Sequence, residues 1–129
     1  MQIRVIGGVG DLARDLRQIA TQAPSDIHRV VRHGVRVGNA LAKSNARSTA
    51  GAHGRHYHKA FSAEMKVNGL GGLHAGEYGP DSSKPQGGMS FEGGSRNQPP
   101  HNDLAKSADI VGPALYGEAK RLLDRWFWM

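Results

Sequence analysis

A chain of 129 residues suits one domain, and with 18 glycines and a hydrophobic share of 38% its core is modest, which favours a subunit stabilised by neighbours. Cysteine is absent, excluding a disulfide framework, a thiolate nucleophile and a cysteine-ligated zinc, and the net charge of +6 points to a polyanion or an acidic protein as partner. The opening run MQIRVIGG is too short for a signal peptide and nothing approaches the ~18 apolar residues of a membrane span, so a soluble, unexported protein is expected.

Ile3 and Val5 alternate with Gln2 and Arg4, which predicts a short strand over 1–6 closed by Gly7 and Gly8. Leu12, Leu16 and Ile19 follow at helical spacing after Asp11, and Pro24 predicts the end of this first helix. A longer second helix is predicted after Ser25 or Asp26, either able to cap it. Ile27, Val30, Val31, Gly34, Gly38, Leu41, Ala42 and Asn45 form its buried stripe. Gly34 and Gly38 each cost roughly 1 kcal/mol of helix propensity, so their place on that stripe predicts close approach of another backbone. The opposite side carries Arg29, Arg32, Arg36, Lys43 and Arg47, with Arg14 and Arg17 earlier in the chain.

From Lys59 the period shifts to two. Phe61, Ala63, Met65 and Val67 alternate with Ser62, Glu64 and Lys66, the pattern of a strand with one wet face. Two shorter strands are predicted around GLHAGEYG and GMSFEG, separated by PDSSKPQGG, and the region of about 68–102 reads as a flexible loop region because it has little large apolar content. A closing helix starts at Asp103 with Asn102 as cap. Leu104, Ala108, Val111, Leu115, Ala119, Leu122 and Trp126 lie on one side, with a break expected near Gly112 and Pro113. Trp126, Phe127 and Trp128 point in successive directions, so one core face cannot cover all three and at least one is expected against another subunit.

These elements predict a single α+β domain over 1–129: a small, mostly antiparallel sheet packed by the long second helix and the C-terminal helix. Catalytic chemistry finds little support. His53, His56 and His58 in HGRHYH are close enough to share a metal, the basis of a metal-hydrolase alternative, but match no helical zinc motif. Glu77, Asp81 and Glu92 supply carboxylates with nothing to set two of them about one bond. No nucleophile elbow, phosphate-cradling glycine motif or HExxH occurs. The basic helix face supports a second alternative, sequence-independent DNA binding.

Taken in order, VGDLARDLRQIA, NALAKSNARSTAG, HKAFSAEMKV, EYGPD and SFEGGSRNQPPHNDL resemble the small neck, or tail-completion, proteins that join head to tail in long-tailed bacteriophages. In that family a strand-borne acidic residue leads through a proline-containing loop into the last helix. Glu92, Gly94, Ser95, Pro99, Pro100 and Leu104 occupy those places, while Gly93 stands where an aromatic is usual. The resemblance implies a structural virion protein, assembled in the host cytoplasm, forming a homo-oligomeric ring around the DNA channel between other connector and tail proteins. It implies no enzyme activity and no cofactor. Pro99 and Pro100 stiffen the segment 90–104, which is expected to meet a neighbouring subunit through Phe91, Glu92, Arg96, Asn97, Pro99 and Pro100, with Trp126, Phe127 and Trp128 as further interface residues. The basic face of Arg29, Arg32, Arg36, Lys43 and Arg47 is expected toward the channel or an acidic neighbour.

Overall fold

The computed structural model describes residues 9–96 and 99–128, leaving aside the side chains of 9–11 and 128. The strand expected over 1–6, Asn97 and the Trp128 side chain lie outside the described residues.

Helix α1, Val9–Thr49, is one helix where two were expected, and it runs through Pro24. An interior proline removes one donor and costs about 3 kcal/mol. Side chains on both sides of it offset that cost: Ile19 is buried with Leu122 and Trp126, and Ala23, Ile27 and Val30 pack against the same cluster. Ser25 and Asp26 therefore cap nothing. Ser25 Oγ donates back to the Gln22 carbonyl at 3.3 Å, and Asp26 accepts from Arg29 on its own helix and from Trp126 on the closing helix. The closing helix, Asp103–Trp128, likewise runs through Pro113 without the expected break. Pro113 is exposed, while Val111 is buried and Leu115 packs against Gly34, so the inner face continues past it.

Strands β1, Phe61–Asn68, and β2, His74–Pro80, pair antiparallel with Ala63 opposite Tyr78 and Met65 opposite Gly76. The predicted alternation is present: Ala63 and Met65 are half-buried while Glu64 and Lys66 are exposed. The third expected strand is instead a single helical turn, α2, Ser90–Gly93. Strand geometry would send the adjacent side chains of Phe91 and Glu92 to opposite faces; a helical turn directs both inward. The closing helix is thus α3.

α3 lies antiparallel along α1. Asp103 meets Asn45 and Thr49, Leu115 meets Gly34, and Trp126 meets Asp26. The hairpin covers a different side of α1, with Gly76 against Val35 and Tyr78 against Gly38. What the two helical glycines accommodate is side chains and not a backbone. A Cβ on Gly38 would stand 2.5 Å from Tyr78 Cε1, and one on Gly34 would stand 3.0 Å from Leu115 Cδ1. Most buried apolar residues fall in two groups, Ala42, Ala46, Tyr57 and Phe61 near the C-terminal end of α1, and Ile19, Leu122 and Trp126 toward its N-terminal end, with Ala60 and Val111 outside both. The fold is α+β, a two-stranded antiparallel sheet packed by α1 and α3.

Candidate functional site

The segment 90–104 is secured inside the subunit at both ends. The Phe91 ring stacks on Tyr57 with centroids 4.6 Å apart and meets His101 edge-on at 5.5 Å. Glu92 is buried, on a helical turn and not a strand, and its carboxylate accepts the N–H groups of Leu104 at 2.7 Å and Ala105 at 3.2 Å. The first turn of α3 has free donors and the positive end of the helix dipole, and Glu92 answers both from outside the helix. Asn102, the expected cap, contributes its backbone carbonyl to Lys106 N–H and its own N–H to the Glu92 carbonyl. The N–H of His101 goes to the Phe91 carbonyl at 2.8 Å, closing the loop. Phe91 and Glu92, expected at a subunit interface, are thus engaged within the chain, while Arg96, Pro99 and Pro100 are exposed on the arc between the anchors.

Beneath this loop sits a polar cluster. Asp103 is fully buried; its carboxylate accepts Thr49 Oγ1 at 2.9 and 3.0 Å, and its carbonyl accepts Asn45 Nδ2. Tyr57 is also buried, with no partner for its hydroxyl. Burial first, then the carboxylates of Glu92 and Asp103, push the phenol up to about 12. Tyr78 Oη lies 2.8 Å from Ser107 Oγ, and because Ser107 donates its one hydrogen to the Leu104 carbonyl, Tyr78 is the donor.

Arg29, Arg32, Arg36, Lys43 and Arg47 fall on one stripe of α1, opposite its buried side, about 27 Å long at 1.5 Å per residue. Lys43 is half-buried and the four arginines are exposed; Arg29 is held to Asp26 at 2.9 Å. Where the stripe meets the following turn, burial and then the charges of Arg47, Lys59 and Lys43 hold the His58 imidazole below the usual histidine range. Arg14 and Arg17 are exposed further back on the same helix.

The histidine tract is anchored through its backbone. Gln86 receives His56 N–H at 2.7 Å and donates to the His53 carbonyl, tying the tract to the turn after β2. Among the described residues no three His, Asp or Glu side chains gather as a metal would require, so His53, His56 and His58 do not converge. Asp81 is occupied with Ser83, whose hydroxyl and N–H hold its carboxyl below the usual carboxylate range, and Glu77 is exposed beside Lys66. Trp126 is buried by Ile19 and Leu122, and its indole N–H donates to Asp26 Oδ2 at 2.9 Å. It is taken up within the subunit and not left for a neighbour, and Phe127 packs partly on the same cluster.

Two apolar surfaces escape the periodicity argument. Leu70 and Leu73 stand at the tip of the hairpin, 85% and 57% exposed. On α3, Tyr116 and Leu123 are exposed one heptad apart, outside the stripe that meets α1. NGLGGLH reads locally as a loop, and the signal that would have singled it out is the pair of leucines where turns ordinarily carry polar side chains. No helix among the described residues is long and apolar enough to cross a membrane.

Comparison of the chain with protein-family models, with curated proteins and with solved structures finds no match.

Proposed function

We propose that the chain is a structural subunit of a phage head-to-tail connector, a ring-forming neck or tail-completion protein around the DNA channel, acting by self-assembly and docking and not by catalysis. The observation that carries this reading is the imbalance between inner and outer apolar surface. The two buried clusters are small, while Leu70, Leu73, Ile110, Tyr116 and Leu123 are more than half exposed. Apolar surface left in water on a subunit with so little core favours association with other protein surfaces.

The long helix, antiparallel hairpin, proline-bearing loop and closing helix occur in the order the resemblance implies, with one helix in place of the expected two and a helical turn in place of the third strand. Glu92 departs from the family pattern in lying on a helical turn and not on a strand, while its bond to Leu104 still returns the proline-bearing loop to the last helix and leaves Arg96, Pro99 and Pro100 exposed. The test has two parts. Mass analysis of purified virions finds the chain as a component, and particles assembled without it carry heads and tails that do not stay joined. Joined, working particles lacking the chain would overturn the reading.

A second reading, sequence-independent DNA binding, is favoured by the basic stripe from Arg29 to Arg47. Phosphate contacts along about 27 Å of helix need no base-reading element. The readings separate by salt-dependent affinity of the isolated chain for duplex DNA, taken up in the Discussion.

A further inference from the structure

The hairpin tip is a built feature. Gly69 N–H donates to the Leu73 carbonyl at 2.7 Å, Gly72 N–H to the Gly69 carbonyl at 3.0 Å and Leu73 N–H to the Leu70 carbonyl at 3.1 Å. Gly69, Gly71 and Gly72 all have positive φ, which closes the turn tightly. The result presents Leu70 and Leu73 outward on a folded turn, so little conformational entropy remains to be lost when they dock.

On the other side of α1 lies a groove between α1 and α3, with a cavity of about 130 Å³ lined by His33, Gly34, Val37, Ile110, Ala114 and Leu115. Its walls are mostly apolar; Val37 is 38% and Ile110 59% exposed, and His33 faces Glu118 at 3.8 Å along the rim. A space of this size is on the order of a single apolar group, such as the roughly 150 Å³ cavity that takes a benzene ring. The hairpin meets α1 through His28, Val35 and Gly38, whereas the groove uses His33, Gly34 and Val37. At roughly 100° per residue the two sets are centred on different sides of the helix and adjoin at Gly34 and Gly38. A subunit therefore cannot fill its own groove with its own tip.

We propose that the Leu70–Leu73 hairpin tip of one copy seats in the α1/α3 groove of the next copy. That the occupant is a second copy rests on the self-assembly reading above and on charge. The hairpin is slightly acidic, with Glu64 and Glu77 against Lys66, which bridges to both. α1 is basic, with seven Arg and Lys against Asp11, Asp15 and Asp26. Next to the groove, Arg29, Arg121 and Arg125 line a neighbouring cleft together with Glu118, Arg29 and Arg125 both also meeting Asp26. Seating the tip brings the acidic strands of one copy toward the basic helix of the other, a complementary pairing that also orients the encounter. Knob and socket are different surfaces, so the contact is heterologous: repeated copy after copy it yields a ring if the rotation closes and a filament if it does not.

The chain has no cysteine, so introduced pairs report without interference. Leu70→Cys and Ile110→Cys are combined in the full chain and oxidised. The double variant gives a ladder of covalent dimers, trimers and larger species, each single variant stays covalently monomeric because no cysteine faces its own across a heterologous contact, and a mixture of the two single variants gives the mixed dimer. In parallel, Leu70→Asp with Leu73→Asp weakens self-association at least tenfold by sedimentation while far-UV circular dichroism is unchanged, since both leucines are solvent-facing in the subunit. A chain that self-associates with neither the ladder nor the Asp effect overturns this contact and leaves the assembly reading standing. A chain that stays monomeric at every concentration and is missing from virions overturns both, and a tip that binds lipid vesicles without self-association also overturns the contact.

Discussion

Glu92 caps a helix that begins well downstream of it: its Oε1 accepts the N–H of Leu104 at 2.7 Å, across 12 residues of chain. The bond fixes where the proline-bearing loop ends and where α3 begins. Removing it leaves the Leu104 and Ala105 N–H groups of a partly buried helix terminus without these acceptors, and a charge-assisted cap is lost together with its interaction with the dipole. Glu92→Ala is expected to lower stability by about 2–4 kcal/mol, and Glu92→Gln, which keeps one acceptor, by roughly half as much. Urea denaturation at neutral pH measures both. Equal stability of all three proteins would contradict the assignment.

Gly38 and Gly34 sit on the same helix face and respond differently to alanine. At Gly38 the new methyl meets Tyr78 Cε1 at 2.5 Å, on a ring whose hydroxyl is held by Ser107. At Gly34 it meets the end of Leu115 at 3.0 Å, a side chain bordering the open groove. Alanine gains about 1 kcal/mol of helix propensity at either site. At Gly38 overpacking of about 1–3 kcal/mol exceeds it, so Gly38→Ala is destabilising and Gly34→Ala near neutral. Thermal denaturation of the two variants side by side decides the matter.

Tyr57 makes stability fall at high pH. Its phenol ionises near 10 in the unfolded chain and is pushed up to about 12 in the fold, so between these values the unfolded chain gives up the proton first. The contribution is complete below pH 10 and is lost as pH rises through about 12, amounting to about 1–3 kcal/mol. Tyr57→Phe removes that step and also removes a buried hydroxyl without a partner, so at pH 7 it is as stable as the parent or more so. Ultraviolet titration of tyrosinate, compared with denaturation from pH 8 to 12, tests the sign.

The basic stripe is expected to be a weak DNA ligand in the isolated subunit, with affinity for duplex DNA no tighter than about 10 µM at physiological salt. Arg32→Glu with Arg36→Glu removes two candidate phosphate contacts and reduces the magnitude of the salt slope by about 2 where binding is measurable. Tight binding by the isolated chain, collapsing with salt, would favour the DNA-binding reading over the connector.

Pro24 is carried inside α1 at a cost, and Pro24→Ala is expected to raise stability by about 1–3 kcal/mol because its side chain is exposed and the helix is continuous around it. Calorimetry measures the shift. No gain would mean that α1 depends on the proline's fixed φ.

Local patterning made much of the fold legible. Alternation from Phe61 to Val67 announced β1, helical spacing from Ile27 to Asn45 announced the buried side of α1, and the same spacing placed Leu122 and Trp126 on the inner side of α3. It failed where an energy was settled by distant partners. Pro24 and Pro113 looked like breaks because proline's cost is local, while the burial that offsets it comes from the facing helix. GMSFEG looked like a strand because nothing nearby reveals that Phe91 must reach Tyr57 while its neighbour Glu92 reaches α3.

For the candidate surfaces the division is similar. The basic stripe of α1 could be read directly, since charges at helical spacing share a side whatever the helix packs against. The sequence by itself determined which residues are apolar, which are charged and with what period they recur. Only the tertiary structure decided which of them face water: it buried Trp126 against Ile19, turned Glu92 into a helix cap and left Leu70 and Leu73 outside. Burial is a property of pairs of surfaces brought together, and a periodic pattern records only one member of each pair.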